Sequence, residues 1–343
     1  MPTFHDVMMA YKATRPYVHE TPVIASNSIQ QFSGHEVALK CENLQRTGSY
    51  NLRGGMNFVI RTKLLDLSIN HFVAQSTGNL GLAVALAASS FSATGHIVIP
   101  KRANDVVVHS IAHYSGKVYR CGDARDEQMK LTQKLVSDNN NTSKKNGVNA
   151  CVFVHPQDDW LIAGYGTLGV ELMLQTDGRL DAVVVPASEG ALLAGVALAV
   201  KGMKPNVAVF AAECDARDPN SDFEDGPVVA VNKGEGGGDQ DHSTQHANNA
   251  VDVARQLRTP LNATAAKCVN KYVDGVIKVT ERQKRDAFRF VYERCKLVVD
   301  DSAATAVAAV LTRPASLSQY DHIGIVLAGG NVDLDDIPRL ARL

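Results

Sequence analysis

The chain has 343 residues, with 35 Lys and Arg against 36 Asp and Glu, for a formal net charge of −1. So even a balance offers neither nucleic acid nor an anionic membrane surface an electrostatic footprint, and neither is expected as a partner. With 45% hydrophobic and 21% charged residues, the composition is that of a folded enzyme-sized chain, long enough for about two domains.

Short β-branched runs alternate with helical patterns along the chain. His71–Ser76 reads as a strand and Asn79–Ser90 as a small-residue helix. His96–Pro100 is the next strand, followed by a helix over Val106–Tyr114 and a strand over Lys117–Gly122. Later strands are Cys151–Pro156, Asp181–Pro186, Val207–Glu213 and His322–Gly330. Near-continuous apolar strands separated by helices indicate an α/β fold with parallel sheets covered on both faces. Ligands of such sheets sit beyond the carboxyl ends of the strands, at helix N-termini.

Two polar, breaker-rich stretches, Ser137–Gly147 and Pro219–Asn249, read as surface insertions. No run of about 18 apolar residues occurs, and the first residues lack the apolar core of a secretory signal. The six cysteines are far apart and form no C-x-x-C pair, so a reducing, cytoplasmic compartment is expected.

Two patterns are set aside as decoys. Gly164–Gly169 matches G-x-G-x-x-G, but Asp158–Ile162 separates it from any strand and the apolar spacing runs on helically to Leu174. His109/His113 and His242/His246 have H-x-x-x-H spacing, without the glutamate of a zinc-binding helix or a third ligand.

Four segments that each follow a strand carry more information: Thr47–Gly55 (TGSYNLRGG), Ser76–Gly81 (STGNLG), Pro186–Ala191 (PASEGA) and Leu327–Leu334 (LAGGNVDL). Together with Thr21-Pro22, VHPQDDWLIAGYGTLGVE and YERCKLVVDDSAATAVAAVL, they make the chain resemble the fold-type II pyridoxal-phosphate enzymes nearly end to end. The likeness is to the serine/threonine dehydratase and serine racemase branch. It implies two doubly wound parallel-sheet domains of the tryptophan synthase β-like kind, a large one from residues 1–70 and 149–343 and a small one from 71–148.

The resemblance also implies roles that can be checked one by one. In that family a lysine in S-F-K-x-R-G bonds the cofactor aldehyde and acts as a base at Cα. Here Asn51 stands at that position, after Tyr50, and an amide is neither nucleophilic nor basic. Lys40 resembles an ordinary strand lysine of the family and is a poor substitute. The glycine tetrad that holds the cofactor phosphate on backbone N–H groups is Ser188-Glu189-Gly190-Ala191 here. A carboxylate at Glu189 about 5 Å from a phosphate dianion opposes it by several kcal/mol at low dielectric, unless the side chain swings out to solvent. The partner of the pyridine nitrogen is Ala328, which has no polar side chain.

The substrate segment is better kept. Ser76, Thr77, Gly78 and Asn79 retain hydroxyls and an amide at a helix N-terminus, suited to a carboxylate, and Asn79 also borders the cofactor seat. Thr77 stands where the racemases keep a second catalytic serine, although helix capping accounts for Ser76 and Thr77 equally well. Glu213 matches the first ligand of the divalent-ion site found in the family's racemases and dehydratases, whereas the second falls on Pro219, with Asp215 and Asp218 nearby, so any such site is rearranged.

Three departures therefore bear on one cofactor. The expectation is a pseudoenzyme that has lost pyridoxal-phosphate catalysis and holds no cofactor. It would bind a small carboxylate or amino-acid ligand, or partner an active paralogue, as a homodimer or heteromer. The alternative is an active pyridoxal-phosphate-dependent serine/threonine ammonia-lyase or amino-acid racemase with an atypical cofactor mode.

Overall fold

The computed structural model describes residues 1–76, 78–101, 103, 105–146, 150–215 and 253–338. In chain order its strands are β1 (Val23–Ala25), β2 (Glu36–Cys41), β3 (Ile69–Gln75), β4 (Thr94–Pro100), β5 (Lys117–Cys121), β6 (Ala150–Phe153), β7 (Ala182–Pro186), β8 (Ala208–Cys214), β9 (Gly275–Val279) and β10 (His322–Leu327). They form two sheets, ordered β1-β2-β10-β7-β8-β9 and β5-β4-β3-β6. Every pairing is parallel except β1 with β2. The helices are α1 (Phe4–Thr14), α2 (Asn27–Ser33), α3 (Asn51–Leu65), α4 (Asn79–Ser89), α5 (Asp105–His113), α6 (Arg125–Asn146), α7 (Asp159–Gln175), α8 (Ala191–Met203), α9 (Ala263–Tyr272), α10 (Glu281–Phe290) and α11 (Asp301–Leu311).

Strand β7 is buried along its whole length, as expected of a central parallel strand with helices on both faces. The helices approach closely where small residues allow it. A methyl group on Gly164 of α7 would meet Gly54 Cα of α3 at 2.6 Å, and one on Gly195 of α8 would meet Ile162 O of α7 at 2.3 Å. The G-x-G-x-x-G match thus lies inside α7, where its glycines serve helix packing.

The seven strands read from the sequence begin within two residues of the expected starts, whereas β1, β2 and β9 were not read, and two organisational readings change. Strand β6 pairs with β3, so the small sheet runs past residue 148. The stretch Ser137–Gly147, read as an insertion, is helical as far as Asn146. There Asn140 ties the helix to β6: its amide donates to Cys151 O (3.1 Å) and accepts from Cys151 N (2.7 Å). The second insertion, Pro219–Asn249, lies outside the described residues, as do Thr77 and the His242/His246 pair. All six cysteines are free thiols. No described helix is long and apolar enough to cross a membrane.

Candidate functional site

The segment before α3 crosses the carboxyl end of β10. Tyr50 N donates to Ala328 O at 3.0 Å, Gly330 N donates to Gly48 O at 2.9 Å, and Ser49 pairs with Gly329 as an isolated bridge. Glycine is needed at both crossings. A Cβ on Gly48 would meet Asn331 Oδ1 at 2.3 Å, and one on Gly329 would meet Asp300 Oδ2 at the same distance. From the small sheet, Asn79 at the head of α4 reaches the same place. Its Oδ1 accepts from Asn331 Nδ2 at 2.7 Å, and its Nδ2 lies 3.5 Å from Asp300 Oδ2. Four of the expected site residues, Tyr50, Asn51, Asn79 and Ala328, therefore meet where the two sheets face each other.

Within that gap Asn51 is buried, and two of its contacts are long. Ser49 Oγ donates to its Oδ1 at 3.4 Å, and its Nδ2 donates to Tyr165 Oη at 3.5 Å. The Tyr50 and Tyr165 rings meet edge to face with centroids 4.8 Å apart, a favourable aromatic geometry. Burial pushes the Tyr50 phenol well up, and the charges of Glu189 and Asp300 add to this. Burial likewise raises Tyr165, so both remain neutral hydrogen-bonding groups at physiological pH.

Asp300 was not singled out from the sequence. It caps α11 by accepting from Ala303 N at 2.9 Å, and its own N–H donates to Gly329 O. Burial pushes its carboxyl up to about 6, against the pull of the Ala303 N–H and the Asn79 amide. Tyr165 was also missed, although it sits inside the G-x-G-x-x-G match. Neither position carries a local pattern that marks it as a site residue.

At the head of α4, Ser76 acts as a cap, its Oγ accepting from Gly78 N (3.0 Å) and Gly81 N (2.9 Å). The N–H groups of Asn79 and Leu80 find no partner among the described residues. A carboxylate is a suitable acceptor for such a pair.

The tetrad positions form the turn from β7 into α8. Ser188 adopts a left-handed φ of 44° and Gly190 one of 81°. Ser188 Oγ lies 2.7 Å from Ser302 Oγ. Gly190 N is spent on Ala187 O at 2.8 Å, and a Cβ on Gly190 would meet Leu261 Cδ2 at 2.2 Å. Glu189 projects to solvent, while its carbonyl accepts from Gln157 Nε2 at 2.8 Å. Ala191 opens α8. Two clefts lie near the turn. One of about 290 Å³ is bounded by Ser188, Cys214, Arg258, Asp301, Ser302 and Thr305 among others. The second, of about 460 Å³, lies between His155, Asp158, Trp160 and Asn262.

Lys40 is fully engaged elsewhere. Its ammonium donates to Glu171 Oε2, Gln175 Oε1 and Thr21 O, each at 2.8 Å. Beside it Arg53 is wholly buried and grips Glu42 (2.7 and 2.8 Å) and Glu171 (2.8 and 2.7 Å). Two cations and two carboxylates thus balance in the interior, as buried charges must.

Glu213 lies at the end of β8, away from Asn51 and Asn79 but on the rim of the smaller cleft. Its Oε1 accepts from Arg258 N at 2.8 Å and its Oε2 pairs with Lys278. Both oxygens are therefore taken, and no group of three metal-binding side chains occurs among the described residues. Among the described residues, Glu213 therefore presents no free oxygen to a divalent ion.

The sequence profile of a family described as "Pyridoxal-phosphate dependent enzyme" matches residues 14–329. Serine racemase of Dictyostelium discoideum is 32% identical over 341 residues, 98% of this chain and 97% of its own length. The structure of maize serine racemase superposes with a TM-score of 0.79 at 28% identity, over 98% of this chain and 96% of that one. A T.th. threonine deaminase does so with a TM-score of 0.76 at 26% identity, covering 97% and 99%.

Proposed function

The chain belongs to the pyridoxal-phosphate-dependent enzyme family, and we propose that within it this is a serine racemase- and dehydratase-like protein without cofactor-dependent catalysis. Its role is instead to bind a small carboxylate, such as an amino acid, between the head of α4 and the Asn51–Asp300 gap. The observation that carries this reading is the Asn51 side chain, an amide at the head of α3, the position to which the resemblance assigns the family's lysine.

The residues present do not fit a lysine-bound pyridoxal phosphate. Lys40 has all three ammonium hydrogens committed. In the 188–191 turn one N–H is already spent, Leu261 fills the space over Gly190, and three side chains stand where the family's tetrad has glycine hydrogens. Ala328 presents no polar side chain to a pyridine nitrogen, and leaving such a group unpaired when buried costs about 1–3 kcal/mol. The N–H groups of Asn79 and Leu80, which no described residue takes up, support the carboxylate seat together with the Asn79 amide.

The test is a visible-absorbance titration of the purified protein with pyridoxal phosphate, then borohydride reduction and peptide mapping. No saturable band and no modified lysine are expected, while a panel of amino acids and hydroxy acids raises the melting temperature. One stoichiometrically reduced lysine, with turnover of L-serine or L-threonine, would replace this reading with that of an active ammonia-lyase or racemase.

A further inference from the structure

Lys278 stands directly across from Glu213 in the β8–β9 register. Its ammonium pairs with Glu213 Oε2 and donates to Gln256 O at 2.7 Å. The other oxygen of Glu213 accepts from Arg258 N at 2.8 Å. The Glu213 side chain is 10% exposed and that of Lys278 35%. The node therefore joins the ends of two strands to the segment 256–258.

That segment continues into the cover over α8. Gln157 Nε2 donates to Pro260 O at 3.2 Å, Asn262 N donates to Gln157 Oε1 at 2.6 Å, and Leu261 sits against Gly190. Whatever holds residues 256–258 therefore also sets the lid on the turn that opens α8.

A carboxylate and a main-chain carbonyl converging on one point are the donor types a hard divalent cation selects. An ammonium fills the point here, carried by the chain itself. The second acidic ligand that the resemblance implies is Pro219, which has no donor side chain. We propose that Lys278 is a tethered cation standing where a divalent ion would otherwise bind Glu213, so that the 256–262 segment is fixed over α8 without metal. The ammonium needs no coordination shell beyond these two oxygens and cannot be removed by a chelator.

The full-length protein is melted with and without EDTA and then with millimolar Mg2+, Ca2+ or Mn2+. The wild-type midpoint is expected to stay unchanged throughout. Lys278→Met is expected to melt several degrees lower and to be cut by trypsin at Arg258 several-fold faster, with Lys278→Arg recovering most of both. A wild-type midpoint that EDTA lowers, or that a divalent ion raises unless Glu213→Gln is present, overturns the proposal. So does a Lys278→Met variant with unaltered midpoint and cleavage. The wild-type arms decide the matter even if Lys278→Met does not fold.

Discussion

Asp300→Asn probes the electrostatics of the gap most directly. Burial raises the Asp300 carboxyl from 3.8 to about 6, and the adjacent Asp301 charge contributes, while the N–H groups of Ala303 and Ser302 and the Asn79 amide pull it back. A folded-state pKa above the unfolded value means the folded chain binds more protons between the two. Stability is then full below about pH 4 and is lost as pH rises through about 6. Roughly two pKa units at 1.36 kcal/mol each amount to about 3 kcal/mol. Asparagine keeps the α11 cap, since it caps as well as aspartate, but cannot ionise. Urea unfolding of both proteins from pH 4 to pH 8 reads the difference. The variant should gain about 2–3 kcal/mol on the wild type across that window, losing at most about 0.5 kcal/mol of helix-dipole interaction in return. Two stability curves that run parallel in pH, or a wild type more stable than the variant at pH 8, would refute the reasoning.

Other consequences are equally open to measurement. Asn51→Lys alone should give no cofactor adduct by mass spectrometry after borohydride treatment, because the 188–191 turn and Ala328 still oppose the cofactor. A full-occupancy adduct at residue 51 would show that the turn does accept a phosphate. Glu171→Gln leaves Arg53 and Lys40 facing Glu42 alone, and should cost about 3–5 kcal/mol in denaturant unfolding; a loss under about 1 kcal/mol would mean the quartet is not coupled. Gly190→Ala places a methyl at a left-handed φ against Leu261, with an expected loss of about 1–3 kcal/mol. Pairing it with Leu261→Ala should be less harmful than the sum of the two single changes, and strict additivity would argue against that contact.

Most of the fold was legible because its cause is local. Apolar β-branched runs such as AVVVP at 182–186, alternating with helical patterns, point to a central parallel strand, and glycine after a strand marks a crossing like that of Gly329 over Ser49. The departures that the resemblance implies at Asn51, Glu189 and Ala328 stand out for a similar reason: the residue types it would place there have specific chemistry. Asp300 and Tyr165 were not readable. Their significance comes from burial and from neighbours more than one hundred residues away, and neither leaves a trace in spacing or composition. The polar run at 137–147 misled because its composition resembles a linker, while Asn140 ties the helix it forms to β6. The partners that occupy both oxygens of Glu213, a lysine 65 residues on and a main-chain N–H, were equally hidden.

That same asparagine bears on how the molecule keeps company. Strand β6 is the last in its sheet, and a bare outer strand is a template on which another chain can grow a further strand. Asn140 occupies the amide and carbonyl of Cys151, copying the bonds an added strand would make there. The helix thus acts as a stopper on the growing edge. Changing Asn140 to alanine would expose that edge, and slow aggregation would follow even with the melting temperature little altered.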